Sequence, residues 1–94
     1  MKQSIMPDYE KWSLIPFPGL HKHHIFGGSN RKFSEEDGLF VYLPPELHNM
    51  SDKGIHFDKE FMQYAHDRGR EAWMKYYNKT EEDFIARYGR SYRE

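Results

Sequence analysis

The stretch Leu20-His21-Lys22-His23-His24-Ile25-Phe26, closed by Gly27-Gly28-Ser29-Asn30, decides how the rest of the chain is read. Residues 20–26 predict a short strand, and the glycine-rich cluster behind it supplies turn chemistry. A polar segment then runs to Gly38 and reads as a loop. Leu39-Phe40-Val41-Tyr42-Leu43 is the clearest strand of the chain, being aromatic and β-branched and stopped by Pro44-Pro45. Proline is tolerated in the first turn of a helix, so Pro45-Glu46-Leu47-His48-Asn49-Met50 predicts a short helix. Strand, loop, strand and helix over residues 20–50 make an α+β core.

Outward from that core, residues 1–19 carry Pro7, Pro16, Pro18 and Gly19 and read as an irregular segment draped across the domain. Trp12, Leu14, Ile15 and Phe17 offer it apolar anchors. Residues 51–57 read as a loop around Gly54. Asp58 is a good N-cap for a long helix to about Tyr77, with Phe61, Met62, Ala65, Ala72, Trp73 and Tyr76 at helical spacing. Gly69 weakens that helix by about 1 kcal/mol relative to alanine. Thr80 caps a last helix, Glu81 to Tyr88, whose acidic first turn suits the helix dipole, and Gly89 ends it. The expectation is one domain over residues 1–94, with a helical tail at 58–88 behind the core.

Composition narrows the function. At 94 residues and 37% hydrophobic, the core is small and rests largely on seven Phe, seven Tyr and two Trp. Cores of this size often need a staple. Cysteine is absent, which excludes a disulfide and a thiolate zinc site, whereas six histidines leave metal binding open. No apolar run approaches the roughly 20 residues of a membrane span. The first residues lack the apolar stretch of a secretion signal, so a cytoplasmic protein without membrane partners is expected. A net charge of −1 argues against a strongly basic, non-specific DNA coat but not against locally arranged charge. Arg68, Arg70, Lys75, Lys79, Arg87, Arg90 and Arg93 are largely offset by acidic neighbours and read as a solvated helical surface.

The histidines cluster. His21, His23 and His24 sit on the first strand, His48 on the short helix and His56 in the loop beyond. A strand and helix folded together can hold one divalent ion through neutral imidazoles. Phosphodiester hydrolysis needs such an ion, a base to activate water and a basic group near the phosphate. His23 and His48 suit the ion, His24 the base, and Arg31 or Lys32 the phosphate. Strict alternation along a strand sends His23 and His24 to opposite faces, so bringing both to one site requires a twist or bulge.

His21-Lys22-His23-His24-Ile25-Phe26-Gly27-Gly28, Asn30-Arg31-Lys32, Gly38 to Leu43, His48-Asn49-Met50-Ser51 and Gly54-Ile55-His56-Phe57 together resemble small phage and prophage proteins of the HNH (His-Me finger, ββα-metal) endonuclease type. The resemblance runs over nearly the whole chain. It implies a metal-dependent endonuclease that hydrolyses DNA in the host cytoplasm. By that resemblance His24 is the general base. His23 and His48 are metal ligands, and His56 or Asp52 completes the shell, with His56 favoured. The 24-residue step from His24 to His48 is similar to that in histidine-rich HNH nucleases. The implied cofactor is one divalent ion: Zn, Mg, Mn or Ni.

Two departures bear on this expectation. Related sequences carry cysteines that hold a structural zinc, where this chain has Trp12 to Pro18 and Pro44 to Leu47. An apolar N-terminal plug with Trp12 and Phe17 in the core is the expected replacement. The middle Asn of HNH enzymes aligns with Leu39, leaving Asn30 or Asn49 as substitutes. An alternative reading follows: a catalytically inactive protein on the same scaffold, binding nucleic acid or a host or phage protein partner. A third keeps only a structural metal site.

Other residues read more plainly. The helical spacing of Phe61, Trp73 and Tyr76 points to core packing rather than base stacking. His66 reads as surface or packing, not a ligand. Arg90 and Arg93, interleaved with Tyr88 and Tyr92, read as a frayed basic end.

Overall fold

Alternating side chains and a proline stop produce two short strands that pair antiparallel. These are β1 (His21–His24) and β2 (Phe40–Leu43). The computed structural model describes residues 3–48 and 54–93. The register is continuous: His21 faces Leu43, Lys22 faces Tyr42, His23 faces Val41 and His24 faces Phe40. Among the described residues, four α-helices complete the mixed α+β architecture: α1 (Arg31–Asp37), α2 (Pro45–His48), α3 (Lys59–Tyr77) and α4 (Glu81–Tyr88). No helix among the described residues is long and apolar enough to cross a membrane.

The segment expected as a polar loop between the strands is instead a 3-10 turn over Gly28–Asn30 followed by α1. Tertiary contacts account for this helix. Ser34 is fully buried and bonds Phe26 twice, accepting from its N–H at 3.0 Å and donating to its carbonyl at 2.9 Å. Asp37 is also buried and accepts from Trp73 Nε1 (2.9 Å), Tyr88 Oη (2.7 Å), and Arg87 Nε (2.6 Å) and Nη2 (2.9 Å). Gly38 ends the helix in the left-handed region at φ +80, a conformation costly to residues with a Cβ.

The caps of the later helices match the sequence. The Asp58 carboxylate accepts from the N–H groups of Glu60 and Phe61. Thr80 and Asp83 form a reciprocal capping box. On α3, Phe61, Ala65 and Trp73 are buried, but Tyr76 is 64% exposed and does not join the core expected of it. Gly69 has a packing role. A Cβ there would stand 2.7 Å from Ile25 Cγ2 and 3.1 Å from Phe26 Cε2, so its absence lets α3 lie against the end of β1.

The core gathers Ile25, Phe26, Leu39, Val41, Leu43, Ile55 and Phe84 with the α3 residues. The N-terminal segment is irregular, as expected, and it covers the outer edge of β2. Ser13 exchanges both backbone hydrogen bonds with Tyr42. Covering an edge in this way removes a template for intermolecular pairing. Met6 and Trp12 supply the apolar plug, and Trp12 packs among Tyr9, Phe61 and Tyr64. Phe17, at 57% exposed, corrects the expectation that it helps fill the core.

Residues 88–93 are not frayed. Arg70 Nη1 donates to the Ser91 carbonyl, and Gln63 Nε2 to the Tyr92 carbonyl. Asn30 Nδ2 donates both to the Tyr88 carbonyl and to Tyr92 Oη. Arg93 pairs with Glu81, and the Arg90 guanidinium lies over the Tyr92 ring. Asn30 is thereby committed to holding the C-terminal segment.

Candidate metal centre

Three histidines converge from three segments. His23 comes from β1, His48 from the last described position of α2, and His56 from the turn that precedes α3. One ligand nitrogen of each lies within 4.8 Å of the others. Nitrogens around a tetrahedral zinc ion with bonds of about 2.0–2.1 Å stand about 3.4 Å apart. A modest closure of side chains therefore brings the three into coordination range. The ring centroids are 5.3 Å (His23–His48), 5.1 Å (His23–His56) and 4.8 Å (His48–His56) apart. His23 is 4% exposed, His48 is half-buried and His56 is open to solvent. The site is therefore rooted in the protein and reachable from outside.

The donor chemistry fits a cation. Among the described residues, His23 Nε2 is buried without a hydrogen-bond partner. Such an atom ordinarily carries a desolvation penalty, and an ion is one way to meet it. Burial, followed by the nearby His56 and His48, lowers the His23 pKa from 6.5 to about 3. Burial, then His56 and His21, also lowers that of His48. His23 is thus neutral at physiological pH, the form that binds metal. His21 Nδ1 lies 3.2 Å from His48 Nδ1. That contact engages the Nδ1 side of His48.

His24 occupies the other face of β1. Alternation holds without a bulge: His21 and His23 turn toward His48, whereas Lys22 and His24 turn toward α1. The expected twist or bulge is not used. His23 and His24 nevertheless line one open cleft, which passes the end of β1 and takes in Gly27, Gly28 and Arg31. Arg31 is exposed at its wall; Lys32, also exposed, lies over the Phe33 ring and is not part of the lining. His66 closes part of the opposite wall, stacked on Phe26 at 5.3 Å and edge-on to Tyr92 at 4.9 Å. It packs, as expected, and is not in the ligand group.

Sequence reasoning missed Glu35. Its Oε1 lies 2.7 Å from both His24 Nε2 and Lys22 Nζ. These two hydrogen bonds, Lys22 first, hold the Glu35 carboxyl below the usual carboxylate range. The only available signal was the acidic run Glu35-Glu36-Asp37, which reads as solvated in a loop and acquires meaning only once α1 forms. Leu39, the residue that the resemblance aligns with the middle Asn, is fully buried, and its side chain offers His24 no polar group. Asn49 and Asp52 lie outside the described residues.

No protein-family model matches the chain, and comparison with curated proteins and with solved structures gave no significant match.

Proposed function

We propose that this chain is a metal-dependent endonuclease of the HNH type that hydrolyses DNA phosphodiester bonds. One observation carries the reading: the His23–His48–His56 group sits in the same cleft as His24, the residue next in sequence to its most buried member. Two paired strands followed by a short helix, with α1 inserted between the strands and candidate ligands on the first strand and on the short helix, support the ββα-metal arrangement.

His23, His48 and His56 would hold a divalent ion, which when bound supplies charge stabilisation at the phosphate and the leaving oxygen. The residues of the chain do the rest. His23 is fixed by burial and presents an uncharged ring, so no proton need be displaced from it at neutral pH. His24 receives the proton of the attacking water through a ring nitrogen. Arg31, on the cleft wall, offers a guanidinium to the two non-bridging phosphate oxygens, a pair that arginine binds in bidentate fashion. Because Lys32 lies outside the cleft lining, the phosphate contact falls to Arg31.

The test is nicking of supercoiled plasmid by purified protein with Mg²⁺, Mn²⁺, Ni²⁺ or Zn²⁺, beside His24→Ala. Metal-dependent nicking that the variant lacks supports the proposal. Folded protein that cuts with none of these ions overturns it. Burial of Leu39 where an HNH enzyme has Asn favours a second reading, a non-catalytic binding protein on the same scaffold. Tight retention of DNA or of a protein partner without cleavage would select it.

A further inference from the structure

Glu35 stands apart from the metal group, on the opposite side of β1. A single carboxylate oxygen of Glu35 accepts from two neighbours on that face, Lys22 Nζ and His24 Nε2, each at 2.7 Å. The Lys22 ammonium also lies over the Phe40 ring, 4.1 Å from its centroid, and the His24 ring packs edge-on to that same ring at 6.2 Å. Lys22, His24 and Phe40 therefore form a small platform against which α1 delivers Glu35. The His24 side chain is only 12% exposed, so few ring orientations are open to it.

We infer that Glu35 is the positioning residue for His24, taking the place that the middle Asn holds in HNH enzymes; this rests on the proposed nuclease reading. An acceptor bound to Nε2 selects the neutral tautomer in which Nε2 carries the hydrogen and Nδ1 bears the lone pair. A base is useful only with its lone pair aimed at the proton it takes, and an oriented acceptor behind the imidazole secures that. Lys22 keeps the acceptor in place from its other side. Glu35 is outside the His23–His48–His56 group and bonds only His24 and Lys22 among the described residues, so its removal acts on the His24 ring and on the Lys22 that shares its oxygen.

The test compares Glu35→Ala and Glu35→Gln with wild type in two ways. The first is long-range ¹H–¹⁵N NMR of the imidazoles in chelator-treated protein at roughly pH 8, above the ordinary histidine pKa. Wild type shows His24 as the Nε2–H tautomer. Glu35→Ala shows a mixture, and Glu35→Gln, which keeps an acceptor oxygen, retains most of the wild-type signal. The second is single-turnover cleavage beside Co²⁺ or Ni²⁺ titration. Glu35→Ala lowers the rate at least about tenfold, a fraction of what a general base contributes, while metal affinity stays unchanged. Glu35→Gln recovers part of the rate. An unchanged His24 tautomer in Glu35→Ala overturns the inference, whatever the activity. If the tautomer shifts but wild type cuts no DNA, the positioning role stands and the nuclease reading fails. If wild type cuts and Glu35→Ala cuts equally fast, the inference fails and the nuclease reading stands.

Discussion

His21 Nδ1 lies 3.2 Å from His48 Nδ1, and the two rings meet nearly edge to face. This contact joins β1 to α2. Partners of this kind orient a ligand and fix which nitrogen it presents, and their loss typically weakens metal binding about 10- to 100-fold. His21→Ala is therefore expected to weaken Zn²⁺ or Ni²⁺ binding by that factor with the circular dichroism spectrum unchanged. Calorimetric titration measures it. Equal affinity in variant and wild type would show that His48 needs no such partner.

His66 gives the fold a pH dependence of its own. Burial first, then the charges of Arg90 and Arg70, lowers its pKa from 6.5 to about 4, against the opposing pull of Asp67 and a backbone bond at Ile25. Above pH 6.5 the ring is neutral in both folded and unfolded chains and contributes no slope. Between 6.5 and about 4 the unfolded chain binds the proton and the folded chain does not, so stability falls as pH falls. His66→Phe keeps the stack on Phe26 and removes the titration. Its melting temperature, measured with chelator from pH 8 to pH 4, should fall less steeply than that of wild type.

Gly69→Ala tests the close approach of α3 to the end of β1. Helix propensity alone favours alanine by about 1 kcal/mol. The new Cβ would stand 2.7 Å from Ile25 Cγ2 and 3.1 and 3.2 Å from the Phe26 ring, inside a packed core. Overpacking of this kind costs about 1–3 kcal/mol. Urea denaturation should show net destabilisation; a more stable variant would mean that β1 and α3 separate easily.

Asp37 ties α1 to α3 and α4 through Trp73, Arg87 and Tyr88. Burial and that carboxylate together raise the Tyr88 pKa far above its usual value. Asp37→Asn places an amide where donors converge. Arg87 is partly exposed, so its ion pair is screened, and the buried Trp73 and Tyr88 bonds dominate. A loss of about 2–3 kcal/mol is expected in denaturant titration.

The strands, the caps at Asp58 and Thr80 and the approach of His48 to His23 were legible because each rests on local pattern or on a topology that local pattern implies, whereas His56 was reached only through the resemblance. The helix α1 was not. Arg-Lys-Phe-Ser-Glu-Glu-Asp has one apolar residue, and its stability comes from Ser34 and Asp37 bonding residues 8 and 36 or more positions away. Glu35 was hidden with it. Phe17 and Tyr76 show the limit of hydrophobicity as a guide, since a small core fills before every aromatic is used. The C-terminal segment is pinned through the backbone carbonyls of Tyr88, Ser91 and Tyr92, which carry no sequence signature.

Calorimetric titration of chelator-treated protein with Zn²⁺ and Ni²⁺ is the most direct test of the metal centre on which the proposed chemistry rests. One ion is expected to bind per chain, with binding strongly weakened by His23→Ala and by His56→Ala and retained in His66→Phe. No binding by folded wild-type protein, or equal binding in His23→Ala, would contradict it.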